Sequence, residues 1–472
     1  MIWGKKIANK VVKIHDIYVA YKKTMNLTTE SKIEDFLDKI IIKPIRNWID
    51  VLLKGDLHNY EKELSSSLME VHNFISEQLL IESSKELYDN LKKEGKSLGA
   101  SKIEKREMSI RLSTGHQISV PNPYIKKAKN DWKGSKHTLA NYWNIIKGSS
   151  PLLYDRVCYC SALCPSYDLS YQTLTKFGTK ICLSSVRDIT NRLAEYIYDY
   201  GEEKIMLEKQ ESLANKTVVI SMDGGRTRTR VYDENVNELG HPTYETKWKE
   251  PKLFVISVLN EKGQPCQYKS PIYGCRFSEE SVLDLLKSYL EKLEISKAKQ
   301  VQILADGAPW IWNRIKPMLE SLNVETSRIT ETLDYYHASE YIHNLIEQMP
   351  KKINNNKKSA YLKQFKEYLW TGKSGKIAEI CKSIYTHPSQ IVNRWIGYLK
   401  KHQKRTQYAD YEFNNLMCGS GIIESGIRRI INLRFKNAST FWKKETVEKL
   451  YFFRAALLSK RWDIVMNNIT TD

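Results

Sequence analysis

The sequence predicts a mixed α/β sheet set between helical regions, and three observations lead there. Between residues 216 and 337, short apolar runs of strand length follow one another, separated by glycine turns and one amphipathic helical stretch. Two of these runs end on an aspartate. Before and after them, apolar residues recur at three- and four-residue steps, the spacing of a helix that buries one face.

Residues 1 to about 100 read as helical, most clearly Ile33–Ile40 and Leu64–Leu91. From Met108 to Ile125 the period shortens towards two (Ile110, Leu112, Ile118, Val120) around Gly115, which predicts a hairpin. A short helix over Ser170–Phe177, Gly178, and a second helix from Ser184–Ser185 through Val186, Ile189 and Leu193 follow. That second helix carries Arg187 and Arg192, and the pair would fit a helix-turn-helix, although many helix pairs bind nothing. Thr217–Asp223 is a buried-strand run ending in an acid, followed by a Gly224–Gly225 bend and the alternating Arg226-Thr227-Arg228-Thr229-Arg230. Leu253–Leu259 and Gln267–Arg276 are the next strand candidates, Ser281–Leu293 is an amphipathic helix, and Gln300–Leu304 is a strand leading to Asp306. Trp310–Leu319 reads as helix, and a short strand near Ile329 leads to Leu333-Asp334-Tyr335-Tyr336-His337. Three strands, a helix, a strand, a helix and a strand is RNase H-like order. Residues 338 to about 412 read as helical with polar breaks at Asn354–Asn356 and Thr371–Gly375. After Cys418-Gly419-Ser420-Gly421, Ser420 is placed as the N-cap of a helix with Ile423, Ile427, Ile430 and Ile431 on one face and Glu424 in its first turn. The expected divisions are a helical region over 1–105, a hairpin and helix-turn-helix-like DNA-binding region over 106–205, a sheet domain over 206–344 with 413–465, and a basic helical insertion over 345–412.

The charge points to a polyanionic partner. The net charge is +19, and it is localised. Lys351–Gln407 carries 14 basic residues against 2 acidic, and Ile427–Asp463 carries 10 against 3, so these stretches hold the whole excess and flank Glu424. No apolar run approaches the roughly 20 residues of a membrane span. The basic start, Met1–Lys6, is followed by no apolar signal-peptide core, so a cytoplasmic, nucleoid-associated protein is expected. Eight cysteines in a chain this long do not make a disulfide framework, and Cys158, Cys160 and Cys164 lack the paired spacing of a zinc site, with Cys182 the only candidate fourth ligand. No Walker A or dinucleotide-binding glycine motif is present, so no nucleotide cofactor is expected.

The chemistry rests on three acids. Phosphodiester cleavage needs a deprotonated nucleophile and a stabilised leaving oxygen, which two Mg2+ or Mn2+ ions roughly 3.5–4 Å apart supply. Such hard cations take oxygen ligands, so carboxylates must converge. Asp223 ends the first strand, Asp306 ends the fourth 83 positions later, and Glu424 opens a helix a further 118 positions on. Read singly, each aspartate before glycine is ordinary turn chemistry, and Glu424 an ordinary complement to a helix N-terminus. The ordered set with basic flanks favours a metal site formed by Asp223, Asp306 and Glu424. Arg226, Arg228 and Arg230 would share one strand face suited to phosphates; Arg187, Arg434, Lys436, Lys443 and Lys444 are further DNA-contact candidates. Arg428 is spaced to pair with Glu424. Two readings of His337 stand side by side: a catalytic group beside the acids, or a histidine packed at the sheet. Trp310 and Trp312 read as core ahead of base-stacking platforms.

Met222-Asp223-Gly224-Gly225-Arg226-Thr227-Arg228, Trp248-Lys249-Glu250-Pro251-Lys252-Leu253, Ala305-Asp306-Gly307-Ala308-Pro309-Trp310-Ile311-Trp312, Leu333–Ala338 and Gly419-Ser420-Gly421-Ile422-Ile423-Glu424-Ser425 occur in that order. With Arg434-Phe435-Lys436 and Trp442, they resemble the Kra-type insertion-sequence transposases over roughly residues 150–465. The resemblance implies an RNase H-like DDE transposase with a helical insertion and with Asp223, Asp306 and Glu424 as catalytic acids. It also implies double-stranded DNA partners, namely the element's terminal inverted repeats and a target, and assembly as a homodimer or higher on DNA. Where relatives often carry a cysteine-rich, zinc-ribbon-like piece before the helix pair, this sequence has no clear counterpart. The expected function is therefore metal-dependent cleavage and strand transfer. The alternative is a domesticated or inactive transposase that only binds DNA. A glycosidase with paired carboxylates is disfavoured by the basic flanks.

Overall fold

The structure is a computed structural model that describes residues 27–97, 100–128, 136–266, 270–436 and 441–471. The helical expectation for residues 1–26, and the start of the strand expected from Gln267, lie outside the described residues. The fold is mixed α/β, and the chain divides into two compact units, with the boundary between Tyr154 and Asp155 and with residues 174–181 returning to the first.

The described part of the first unit begins with helices α1 (Leu27–Leu37), α2 (Ile45–Leu53) and the long α3 (Leu57–Ser97). Strands β1 (Ala100–Arg111) and β2 (Gln117–Ala128) form the expected antiparallel hairpin, with β3 (Lys136–His137) on its edge and α4 (Thr138–Tyr142) following. Met108, Ile110, Ile118 and Val120 alternate onto one hairpin face and meet Leu91 and its neighbours from α3, which makes a small core. Gly115 turns the hairpin at φ +88°, where the Lys180 backbone fills the space a Cβ would take.

The second unit takes in most of α5 (Pro151–Leu163) and α6 (Tyr167–Lys176), then α7 (Leu183–Tyr200) and α8 (Glu202–Met206). Its centre is a five-stranded sheet of β4 (Thr217–Gly224), β7 (Lys252–Leu259), β8 (Ile272–Arg276), β9 (Gln300–Ala305) and β10 (Ile329–Leu333), while β5 (Thr227–Val236) and β6 (Pro242–Lys249) belong to another sheet. The order is β8–β7–β4–β9–β10, or 3-2-1-4-5 when the strands of this sheet alone are counted along the chain. β7 is antiparallel to β8 and β4, whereas β9 is parallel to β4 and β10 to β9.

Every residue of β7 is buried, as a strand covered on both faces requires. Neighbouring side chains show the two covers. Phe254 meets Tyr289 of α9 (Glu279–Lys292), ring centroids 5.7 Å apart, and Leu253 lies against Gly426 from the opposite side. Helix α9 starts at Ser278, whose hydroxyl accepts from the Ser281 amide at 3.0 Å, with Glu279 and Glu280 in the first turn where the helix dipole favours acids. Between β9 and β10 the expected helix is two short ones, α10 (Pro309–Trp312) and α11 (Ile315–Ser321).

After β10 comes α12 (Tyr335–Glu347), then α13 (Asn355–Trp370), α14 (Ser374–Ile384), α15 (Gln390–Lys401) and α16 (Tyr408–Phe413). The polar breaks fall as read: Asn354 caps α13, accepting from the Lys357 amide, and Thr371–Lys373 separate α13 from α14. This helical segment returns to the sheet through β10. The Tyr408 and Tyr411 hydroxyls donate to the Leu333 and Glu331 carbonyls, each at 2.9 Å, and Arg405 pairs with Glu331 at 3.0 Å.

The chain closes with α17 (Gly421–Gly426), a π-helical turn over Ile427–Asn432, α18 (Leu433–Phe435), β11 (Trp442–Lys443), α19 (Lys444–Leu458) and α20 (Trp462–Thr471). β11 joins β5 and β6 in a three-stranded sheet ordered β11–β5–β6. Two buried ion pairs tie the outer elements together: Arg276 of β8 with Glu202 at 2.7 Å, and Arg461 with Glu211 through two bonds of 2.6 Å. No described helix is long and apolar enough to cross a membrane.

Candidate active site at the carboxylate edge of the sheet

Three neighbouring parallel strands run out on aspartates. Met222 of β4 pairs with Ala305 of β9, and Ala305 with Leu333 of β10. The next residues, Asp223, Asp306 and Asp334, therefore stand side by side at one sheet edge, with a strand spacing of about 4.8 Å.

Their fates differ. Asp334 is buried and fully used by backbone amides: its carboxylate accepts from Tyr336 and His337 at the start of α12, and from the Ser420 amide at 3.1 Å. It is a helix cap and a staple for the 417–420 turn. Asp306, half-buried, accepts from the Ala308 amide at 2.9 Å, while its carbonyl takes the Trp312 indole N–H at 2.6 Å. Asp223 is half-buried and, among the described residues, accepts only from the Gly224 amide, at 2.6 Å. Burial pushes its carboxyl up to about 6, with Asp306 and Glu250 adding to the push, while the Gly224 amide and His337 oppose it. A carboxylate held that high beside another carboxylate is a place where positive charge would be stabilised.

The segment leading to Glu424 is tied to this edge by two anchors. The buried Gln302 side chain on β9 donates to the Met417 carbonyl at 2.6 Å and accepts from its amide at 3.0 Å. Asp334 holds Ser420. Helix α17 then packs on β4 and β7, close because Gly426 has no Cβ: one there would stand 2.8 Å from Tyr273 and 3.0 Å from Leu253, the β7 partner of Asp223. Glu424, two residues earlier, is exposed on the outer side of this helix. The helix that carries Glu424 is thus docked on the strand that ends at Asp223 despite the long gap in sequence. The side chains of the three acids are not gathered, however: among the described residues no three His, Cys, Asp or Glu form a group that could hold a metal ion. The same holds for Cys158, Cys160, Cys164 and Cys182, all of them free thiols.

Aromatic residues wall the site. Tyr398 of α15 lies where a Gly307 Cβ would be, and its ring meets that of Tyr341 at a tilt, centroids 4.3 Å apart. Burial, first of all, and the nearby Asp306 keep both hydroxyls protonated. His337 is half-buried, its ring edge-on to Tyr341 at 5.3 Å and near enough to influence Asp223. Trp312 is core, whereas Trp310 is half-buried under the Lys252 ammonium at 5.2 Å.

Several expectations need correction. Arg434, read as a DNA contact, is about 1% exposed. Its guanidinium donates to the Cys164 carbonyl and lies over the rings of Trp442 (4.9 Å) and Tyr167 (5.9 Å), and burial lowers its pKa to about 10. The aromatic cage stabilises the cation inside the unit, out of reach of a phosphate. Ser420 does not cap α17 through its side chain; the Asp334 carboxylate takes the Ser420 amide, and the Ser420 carbonyl starts the helix. Arg428 makes no ion pair with Glu424 among the described residues, because the helix widens to a π turn at Ile427 and loses the i, i+4 alignment. Arg187, Arg226, Lys436 and Lys443 are exposed, and Arg228 is half-buried on Trp248 at 4.8 Å.

Sequence reading passed over Glu250. Its carboxylate lies against Gly224 and pairs with Lys252 at 2.6 Å. The signal available was Pro251, which fixes the bend that returns β6 to β7 opposite the Gly224–Gly225 bend.

No protein-family model and no curated protein matches the chain. Among solved structures it is similar to a chain of the Drosophila P element transposase strand transfer complex. That similarity has a TM-score of 0.24 and 12% identity over 66% of this chain and 80% of that one. A score of that size leaves fold and chemistry to be argued from the strand order and the acids themselves.

Proposed function

We propose that the chain is a DNA transposase whose five-stranded sheet is an RNase H-like catalytic core, with Asp223, Asp306 and Glu424 as its acids. The observation that carries this reading is the 3-2-1-4-5 sheet with Asp223 and Asp306 ending adjacent parallel strands, and with Asp223 held near pKa 6 by burial and its neighbour. The oxygen-only donor set fits Mg2+ or Mn2+. Asp223 and Asp306 would hold the ions, with Glu424 completing the set by a side-chain rotation that its exposed position leaves free. Bound there, such ions activate the attacking oxygen and stabilise the leaving one. Asp334 keeps the Glu424 helix in register, and Tyr341 and Tyr398 shield one flank from water. The resemblance to Kra-type insertion-sequence transposases would make the substrate the inverted repeats of its own element. The exposed lysines of α13–α15 and of residues 436–444 would hold the phosphate backbone.

The test is cleavage of a plasmid carrying the DNA that flanks the gene, with Mg2+ or Mn2+. Nicks at discrete sites are expected, with a loss on the order of 10³-fold for Asp223→Asn, Asp306→Asn or Glu424→Gln. Full cleavage by Asp223→Asn would overturn the site. A DNA-binding protein without catalysis is the second reading, favoured by the ungathered carboxylates; it predicts retarded migration of the same DNA and no metal-dependent cleavage.

A further inference from the structure

β5 and β6 continue the ladder of β4 and β7 past the bends at Gly224–Gly225 and Glu250–Pro251, and the registers place their side chains on two distinct faces. Arg228 stands opposite Trp248, Arg230 opposite Thr246 and Tyr232 opposite Tyr244, all on one face because they alternate along each strand. β11 runs parallel on the other side of β5, with Lys443 beside Arg230, and so adds Lys443 and Phe441 to the same face.

The face is built as a cation–aromatic ladder. The Arg228 guanidinium lies 4.8 Å from the Trp248 ring and 5.6 Å from Phe441; Arg230 lies 4.7 Å from Tyr244; the Lys443 ammonium lies 5.2 Å from Tyr232. Tyr232 and Tyr244 meet edge to face at 5.8 Å. Trp248 remains 51% exposed, Tyr232 40% and Tyr244 39%, a large ring surface to leave in water.

The charge is sorted between the faces. From Arg228 to Tyr232, and opposite from Tyr244 to Trp248, the ladder face carries no acid, and none of Arg228, Arg230 and Lys443 has a carboxylate partner among the described residues. Glu245 falls on the reverse face, where it pairs with Lys247 at 3.1 Å. Guanidinium groups lying on rings keep their in-plane N–H donors free for anions.

We propose that this face binds an unpaired nucleic-acid strand, with bases stacked on Trp248 and the tyrosines and phosphates held by Arg228, Arg230 and Lys443. This rests on the transposase reading for its location, because β5 leaves the sheet at Gly224, next to Asp223. A strand laid along the ladder leads to the carboxylate edge. Flat exposed rings between unpaired cations suit stacking of separated bases, as in single-strand-binding sheets. From Arg228 to Tyr232 the ladder is about 13 Å long at about 3.3 Å per residue, room for two or three nucleotides.

The test is fluorescence anisotropy with the full chain in EDTA, which removes any need for catalysis. A labelled single strand of roughly 15 nucleotides is compared with a blunt duplex of the same sequence. Trp248→Ala should weaken single-strand binding about 5- to 150-fold, the effect of losing one stacked base. It should weaken duplex binding far less, and Trp248→Phe should recover most of the loss. Because Trp248 lies on an exposed strand face, folding is not at stake, and a thermal melt of the variant checks this. Equal losses on both probes would overturn stacking in favour of backbone contact, and no loss on either would overturn the face. If discriminating binding persists in a chain that cleaves no DNA, the catalytic reading fails and this one stands.

Discussion

β4 with β7, and β5 with β6, are two halves of one long antiparallel hairpin, yet they live in different surroundings. The base half is sandwiched between α9 and α17, and β7 is buried from end to end. The outer half is almost wholly exposed along β6. The bend at Gly224–Gly225 and Pro251 marks the change, closed by a Gly225 amide bond to the Pro251 carbonyl at 2.8 Å. One ladder of backbone hydrogen bonds thus supports two jobs. Where helices cover both faces, side chains supply stability and aim Asp223; where the face of Arg228, Arg230 and Tyr232 is left open, aromatic and basic side chains are left for a ligand.

The sharpest way to break this comparison is to remove one large ring from each half. Phe254 is fully buried, so Phe254→Ala should cost about 3–5 kcal/mol, from lost transfer energy and the cavity left behind. Trp248→Ala should fall within about 1 kcal/mol of the parent, since half of that ring already faces water. Urea unfolding of both variants reads the difference. Similar losses would mean that the outer half is packed as firmly as the base.

Asp223 sits at the junction, and its sign is opposite. A carboxyl with a folded-state pKa near 6, raised from 3.8, folds best when protonated. Its penalty is absent below about pH 3.8, grows as pH rises to 6, and stays constant above. Two units correspond to about 3 kcal/mol at most. Asp223→Asn should therefore stabilise the metal-free protein at pH 7 by up to that amount, with the gain vanishing by pH 4. A melt that shows no gain at pH 7 would place the carboxylate in a more polar setting than the sheet edge.

Much of the base half was legible in the sequence for the same reason it is stable. Buried strands are uninterrupted apolar runs, and an aspartate ending one, as at Asp223 and Asp306, stands out as punctuation. The outer strand was legible in part: Arg226, Arg228 and Arg230 alternate, and Thr227 and Thr229 are indeed the buried set between them. What could not be read were groups satisfied across long stretches of chain. Arg434 looks like a surface cation until Trp442 and Tyr167, the latter 267 positions away, close over it. Ser420 has the residue type of a cap, but Asp334, from 86 positions upstream, already holds its amide. The widened turn after Gly426 leaves no mark in residue spacing, so the Glu424–Arg428 pair was a fair reading of a regular helix that does not exist there. Glu250 was hidden because its neighbourhood is set by a bend between strands, not by a period along one.

The smallest expected effect lies on the reverse face of the outer hairpin. Glu245 and Lys247 pair at 3.1 Å with both side chains more than half exposed. Water screens such a pair, and holding two long side chains together costs rotamer entropy, so its net worth is about 0–1 kcal/mol. Glu245→Gln should accordingly shift the unfolding midpoint hardly at all. It should nonetheless tighten binding of any nucleic acid slightly, and more so at low salt, because it removes one of the acids on the side away from the ladder. A destabilisation well above 1 kcal/mol would mean that this face is covered in solution. The midpoint would then also rise with protein concentration, as a contact between copies requires. In that case the two halves of the hairpin would differ in what covers them, a helix for one and a second molecule for the other, and not in whether they are covered.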